Sequence, residues 1–174
     1  MKQLLVEGTT DKYLIEEICR DTKLSLQDIT FQIPGSKEED GGISQLLKGL
    51  PVIIKNANQL GDVVGVVIDA DLNADGRWQH IRQLLTNIGY STHLSDVSQG
   101  LVVESQTVLP RFGLWMMPNN QDAGILENFI RELITKKDIL QPEVEQVLDG
   151  LRARELQLFP EVKRPKAFIK TWLA

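Results

Sequence analysis

The run VVGVVID, residues 63–69, constrains this chain more than any other stretch. It is apolar at odd and even positions alike. Side chains of a strand alternate between faces, so both faces of this one must be covered. Such strands sit in the middle of parallel sheets with helices on either side. Strand and helix signals alternate around it. A short apolar strand over residues 3–6 precedes a helix from about Thr10 to Lys23, whose stripe is Leu14, Ile15, Ile18 and Cys19. Ile29 to Ile33 alternates as a strand that ends at Pro34-Gly35, and the polar run Lys37 to Gly42 reads as a loop. Residues 43–56 read as a helix that Pro51 is expected to kink or split.

The second half continues the alternation. After DADLNADGRW a helix runs to about Ile88 with Trp78, Ile81, Leu85 and Ile88 inward and Gly89 as its C-cap. Strands are expected at 101–104 and 112–117, the latter stopped by Pro118. Asp122 is expected to cap a helix carrying Leu126, Phe129, Ile130, Leu133 and Ile134 at helical spacing. Residues 143–174 read as mostly helical, with breaks near Pro160 and Pro165. The pattern predicts an α/β fold with a mostly parallel central sheet flanked by helices.

At 174 residues the chain is long enough for one domain with a real core. It has no stretch of about 18 apolar residues that would span a membrane. Glu7, Asp11 and Glu16 interrupt the N-terminal apolar run too early for a secretion signal, so the expected location is cytoplasmic. Cys19 is the sole cysteine, which excludes an internal disulfide and a cysteine zinc cluster. Net charge is −5, against binding nucleic acid by bulk electrostatics. The charge is uneven, because residues 151–174 hold six Lys/Arg against two Asp/Glu. The basic residues there, Arg152, Arg154, Lys163, Arg164, Lys166 and Lys170, are candidate contacts to a phosphate backbone. An ordinary solvated helix is the plain alternative.

In parallel α/β sheets the working site lies outside the carboxyl ends of the strands, at the switch in strand order. Glu7 follows the first strand and Asp69 ends the third. In extended backbone Asp71 points the same way as Asp69, so three carboxylates are expected at one edge. Without a cation they repel, and some must stay protonated. The sequence places no lysine or arginine beside them. A hard divalent ion, Mg²⁺ with Mn²⁺ as substitute, resolves the conflict. Asp11, one turn beyond Glu7, offers another oxygen ligand, and Gly8 allows a sharp turn or a close approach. Asp75 is an additional acid that equally suits the N-terminus of the next helix.

These residues carry a resemblance. E-G-T-T-D after an apolar strand, with D-A-D after a later one, resembles the TOPRIM domain of topoisomerases, bacterial primases, OLD-family nucleases, ribosomal-RNA maturases and recombination mediators. With MPNNQDAGILENFI, the whole chain is similar to a family of uncharacterised TOPRIM-like prokaryotic proteins. The resemblance implies a TOPRIM-like, Rossmann-like domain over 1–135 with a helical C-terminal extension, 136–174, packed on it. It implies that Glu7 serves in acid–base chemistry or metal ligation and that Asp69 and Asp71 bind metal. Asp11 matches the following acid of nuclease-type members, while Gly124 and Glu127 match a late motif to which the resemblance assigns no role.

The expected activity is Mg²⁺-dependent phosphodiester chemistry on nucleic acid, most simply that of a nuclease, with a partner ATPase or self-association as further expectations. The rival from another class is a non-catalytic interaction or sensing module. A phosphoacceptor receiver with Asp69 as acceptor fits less well, because Glu7 stands alone and Pro118 follows the late strand without a lysine. His80 and His93 are not spaced as a metal pair, and Cys19 and Trp115-Met116-Met117 read as core. GSKEEDGG lacks the Gly-Lys-Ser/Thr ending of a phosphate loop.

Overall fold

The computed structural model describes residues 1–35, 42–57, 59, 61–92, 97–104 and 108–174. Most of the 37–42 loop and His93 lie outside the described residues. Strands β1 (Lys2–Val6), β2 (Ile29–Gln32), β3 (Val63–Asp69), β4 (Leu101–Val103) and β5 (Arg111–Met117) alternate with helices α1 (Thr9–Asp21), α2 (Ile43–Asn56), α3 (Ala74–Ile88) and α4 (Leu126–Leu133). Helices α5 (Leu140–Ala153) and α6 (Arg164–Trp172) complete the chain, joined through a 3-10 turn at Glu161–Lys163. The sheet order is β2-β1-β3-β5-β4, with β4 alone antiparallel. The fold is α/β with a mostly parallel sheet, as the two-faced β3 demands.

From β1 the chain steps to β2 on one side and then crosses to β3 on the other. The switch in order therefore falls between β1 and β3, the two strands that end in Val6-Glu7 and Asp69. Their register pairs Val6 with Val67, which sets Glu7 almost level with Asp69 at the carboxyl edge. One face of the sheet buries Leu5, Val64, Val66, Ile68 and Phe112 against α2 and α3, which supply Leu46, Leu50, Ile54, Trp78, Ile81 and Leu85. The other buries Val6, Val67 and Met117 beneath Leu14, Ile15 and Leu126 from α1 and α4. Helices α5 and α6 build a further apolar cluster, Val144, Leu148, Phe168 and Ile169, against Ile130 and Ile134.

Several local expectations are corrected. Pro51 neither splits nor ends α2, which runs continuously over Ile43–Asn56. Leu46, Leu47, Leu50 and Ile54 pin the turns on both sides of the proline to the core, which offsets the hydrogen bond its ring nitrogen cannot give. Pro165 opens α6 in its first turn, where no N–H is needed, while Pro160 does fall at a break. Asp122 caps nothing. Asn119 Oδ1 accepts from the amides of Gln121 and Asp122 to close the turn after β5, and α4 starts three residues later from Ile125. Gly89 ends α3 with φ +115, as its place in the sequence suggests. No described helix is long and apolar enough to cross a membrane.

Candidate functional site

Glu7 and Asp69 meet at the switch point. Glu7 Oε1 accepts a hydrogen bond from the Asp69 backbone N–H at 2.7 Å, locking the two strand ends together. Burial raises the Glu7 pKa to about 7, with Asp71 and Asp11 adding to the rise against the Asp69 amide and Arg77. Burial, and then the charge of Glu7, raise that of Asp69 to about 8. Asp69 accepts from the backbone N–H of Leu126 at the start of α4, yet its Oδ1 is buried with no hydrogen-bond partner among the described residues. A buried carboxylate oxygen with no donor is costly, and none of the described residues supplies one.

Asp11 is 8% exposed at the third position of α1. Its carboxylate folds back toward Gly8, whose added Cβ would stand 3.2 Å from Oδ2, and it takes the backbone N–H bonds of that helix start. Burial still outweighs those bonds and raises its pKa, with Glu127 adding to the effect and Lys166 opposing it. Glu127, 9% exposed on the first turn of α4, lies 3.7 Å from the Lys166 ammonium on α6. The acids thus form a row from the sheet edge through α1 to the C-terminal helices.

Asp71 departs from the sequence expectation. It is not extended but left-handed, with φ +54, and its half-exposed carboxylate pairs with Arg77. The cation that the sequence did not show beside the motif is therefore Arg77, brought back by the first turn of α3. Asp75 is exposed in that same turn. Among the described residues, no three His, Cys, Asp or Glu side chains stand together as a ready metal cage. His80 is exposed beside Arg77, and Cys19 is half-buried on α1.

Gly124 acquires a role here. Its N–H and C=O bond the C=O and N–H of Asp71 at 2.7 and 2.8 Å, tying the loop after β5 to the loop after β3. An added Cβ would stand 2.9 Å from Pro118 Cδ and 3.1 Å from Asn128 Oδ1, and its φ is +157. Gly124→Ala is expected to lower stability by about 1–3 kcal/mol, since neither neighbour is a free chain end. Thermal unfolding measures it: a drop of roughly 2–12 °C is expected, and an unchanged midpoint contradicts the account.

The family model described as Protein of unknown function (DUF3226) matches residues 1–174. The chain belongs to this family. No curated protein and no solved structure matches the chain. In this DUF3226 chain the basic C-terminal residues are largely engaged internally. Arg152 pairs with Glu161, Arg154 donates to the Gly150 carbonyl, Arg164 reaches Glu145 and Asp149, and Lys166 faces Glu127. Lys163 and Lys170 are exposed.

Sequence reasoning missed Arg77 and Asn120. Asn120 is fully buried with φ +66; its Oδ1 accepts from the Met116 N–H and its C=O from Trp78 Nε1, both at 2.7 Å. The available signal was the Pro-Asn-Asn turn directly after a buried strand, since asparagine tolerates the left-handed region.

Proposed function

We propose that this DUF3226 chain is a divalent-cation-dependent enzyme that cleaves nucleic-acid phosphodiesters on a TOPRIM-type domain. The observation that carries the reading is the orphaned, buried Oδ1 of Asp69 next to Glu7, at the switch point of a parallel sheet. Two desolvated carboxylates at one edge need a proton or a cation between them. Mg²⁺ fits this donor set, because it takes hard oxygen ligands and commonly uses only one or two carboxylates, with water and substrate phosphate completing the shell. Glu7 and Asp69 would hold it, with Asp11 behind them and Asp71 held off by Arg77.

When bound, the ion supplies charge neutralisation at the attacked phosphate. The chain's own residues do the rest. Without the ion, Glu7 has a pKa of about 7 and can exchange a proton at neutral pH through Oε2, since its Oε1 is occupied by the Asp69 amide; where it holds the ion it stays ionised. Leu72, Ile125, Val162 and Pro165 line a pocket of about 220 Å³ that Asp71 also borders, beside the tied loops, which offers an apolar wall to a substrate group flanking the phosphate. With most C-terminal cations engaged internally, contact with nucleic acid is local, and affinity falls with salt.

One observation favours the second reading, a non-catalytic interaction or sensing module beside a partner such as an ATPase: Ile139, Leu140 and Val147 of the C-terminal helical region are exposed. Mn²⁺ located by anomalous diffraction in soaked crystals, with a cleavage panel of single- and double-stranded DNA and RNA, separates the two. An ion on Glu7 and Asp69 with cleavage of any member supports the enzyme. An ion without cleavage moves the assignment to the module, and no ion at millimolar Mn²⁺ removes the metal site.

A further inference from the structure

We propose that Arg77 is an oxyanion-receiving residue and that Asp71 occupies its guanidinium in place of a phosphoryl group. The inference deepens the reading above, on which its catalytic sense rests, by naming where a second phosphate oxygen cluster would dock. The Arg77 side chain is 18% exposed and Asp71 49% exposed. Their contact is one-armed: Nη2 meets Asp71 Oδ2, whereas Nε is buried with no partner among the described residues. A guanidinium presents a fork that suits two oxygens at once, and here half of the fork is idle.

Beside the pair lies a pocket of about 420 Å³ lined by Asp71, Asn73, Gly76, Arg77 and His80. Asp71 is built to leave. Its backbone is pinned to Gly124 by two hydrogen bonds, so the carboxylate moves by side-chain rotation alone. Its φ of +54 lies in the left-handed region, which aspartate tolerates, and the turn leaves the carboxylate beside Arg77. A phosphoryl group offers more oxygens and more charge than the carboxylate it replaces. Once displaced, Asp71 lies near Asp69 with its charge unpaired, which couples phosphate docking to cation affinity.

Phosphate binding in the presence of EDTA tests the site without any metal. The probes are inorganic phosphate and a dinucleotide with one internal phosphodiester, followed by calorimetry and by the Arg77 Nε–H resonance. Asp71→Asn removes the competing carboxylate, whose exposed pair is worth up to about 1 kcal/mol, so affinity rises about two- to fivefold. Arg77→Gln loses at least about tenfold, the scale of charge-assisted hydrogen bonds, and Arg77→Lys falls between because it lacks the fork. A gain in Asp71→Asn cannot come from misfolding. Preference for the dinucleotide assigns the site to a nucleic-acid backbone, and preference for inorganic phosphate assigns it to a free anion. Phosphate binding unchanged in Arg77→Gln, or absent from both wild type and Asp71→Asn, overturns the proposal. With chelator present, either result is independent of whether Glu7 and Asp69 hold a cation.

Discussion

Replacing Asp69 by asparagine is expected to lower phosphodiester cleavage by roughly 10²–10³-fold, the usual loss when one electrostatic group of a site is removed. The same change should make the metal-free protein more heat-resistant at alkaline pH. Asparagine keeps the shape of the carboxyl and can still accept from the Leu126 amide. It removes a charge that burial and Glu7 disfavour, and it relieves the repulsion Glu7 feels in return. Because the Asp69 pKa stands at about 8, the wild-type group is mostly protonated at pH 6 and mostly charged at pH 9. The unfolded carboxyl ionises from about 3.8, so the variant should melt like wild type near pH 4 in EDTA, gain on it steadily up to about pH 8, and stay several degrees higher at pH 9. Cleavage at the wild-type rate would show that the carboxylate plays no part in the chemistry. Lost cleavage with an alkaline gain in stability is the signature of a charge kept for function at the expense of folding.

What was legible in the sequence is what a single element decides. β3 could be read because burial of both faces leaves no polar position until Asp69, and α3 because Trp78, Ile81, Leu85 and Ile88 recur at helical spacing and Gly89 ends the helix. The convergence of Glu7 and Asp69 followed from strand ends alone, since a parallel sheet puts all its carboxyl ends on one edge. Asp71 could not be placed this way. The i, i+2 argument assumes extended backbone, whereas the chain turns left-handed at Asp71 to meet Gly124, fifty-three positions later. Arg77 was hidden for the same reason: a contact made by the first turn of a new helix leaves no adjacency in the sequence. Asp122 misled because a capping residue type was taken without its competitor, Asn119, which closes the turn first. Local rules succeeded where one element decides the geometry and failed where two loops share it.

The stability of the metal-free protein should fall as pH rises, and Mg²⁺ should reverse that fall. Glu7 and Asp69 have folded-state pKa values of about 7 and 8, against 4.5 and 3.8 for the free groups. Below about pH 4 both are protonated in either state and neither affects folding. Between about 4 and 8 the unfolded chain releases these protons and the folded chain retains them, so the unfolded state binds fewer and stability declines with pH. The rise at Asp11 has the same sign. The two groups share one site and are not additive; together they amount to a loss on the order of 3 kcal/mol across that window. Measured as the difference between wild type and Glu7→Gln/Asp69→Asn, this loss is separated from every other titrating group. A cation binds the ionised pair and not the protonated one, so its stabilisation should be near zero at pH 5 and grow toward pH 8. At a hundred times its dissociation constant it would contribute about 2.7 kcal/mol, or roughly 5–10 °C in the unfolding midpoint of a chain this size. Thermal melts with Mg²⁺ or EDTA at pH 5, 6.5 and 8 measure both effects in one series. A midpoint difference that widens with pH in wild type and vanishes in the double variant places the cation on these two carboxylates. A difference that persists in the double variant places it elsewhere, and the orphaned oxygen of Asp69 is then a site for a proton.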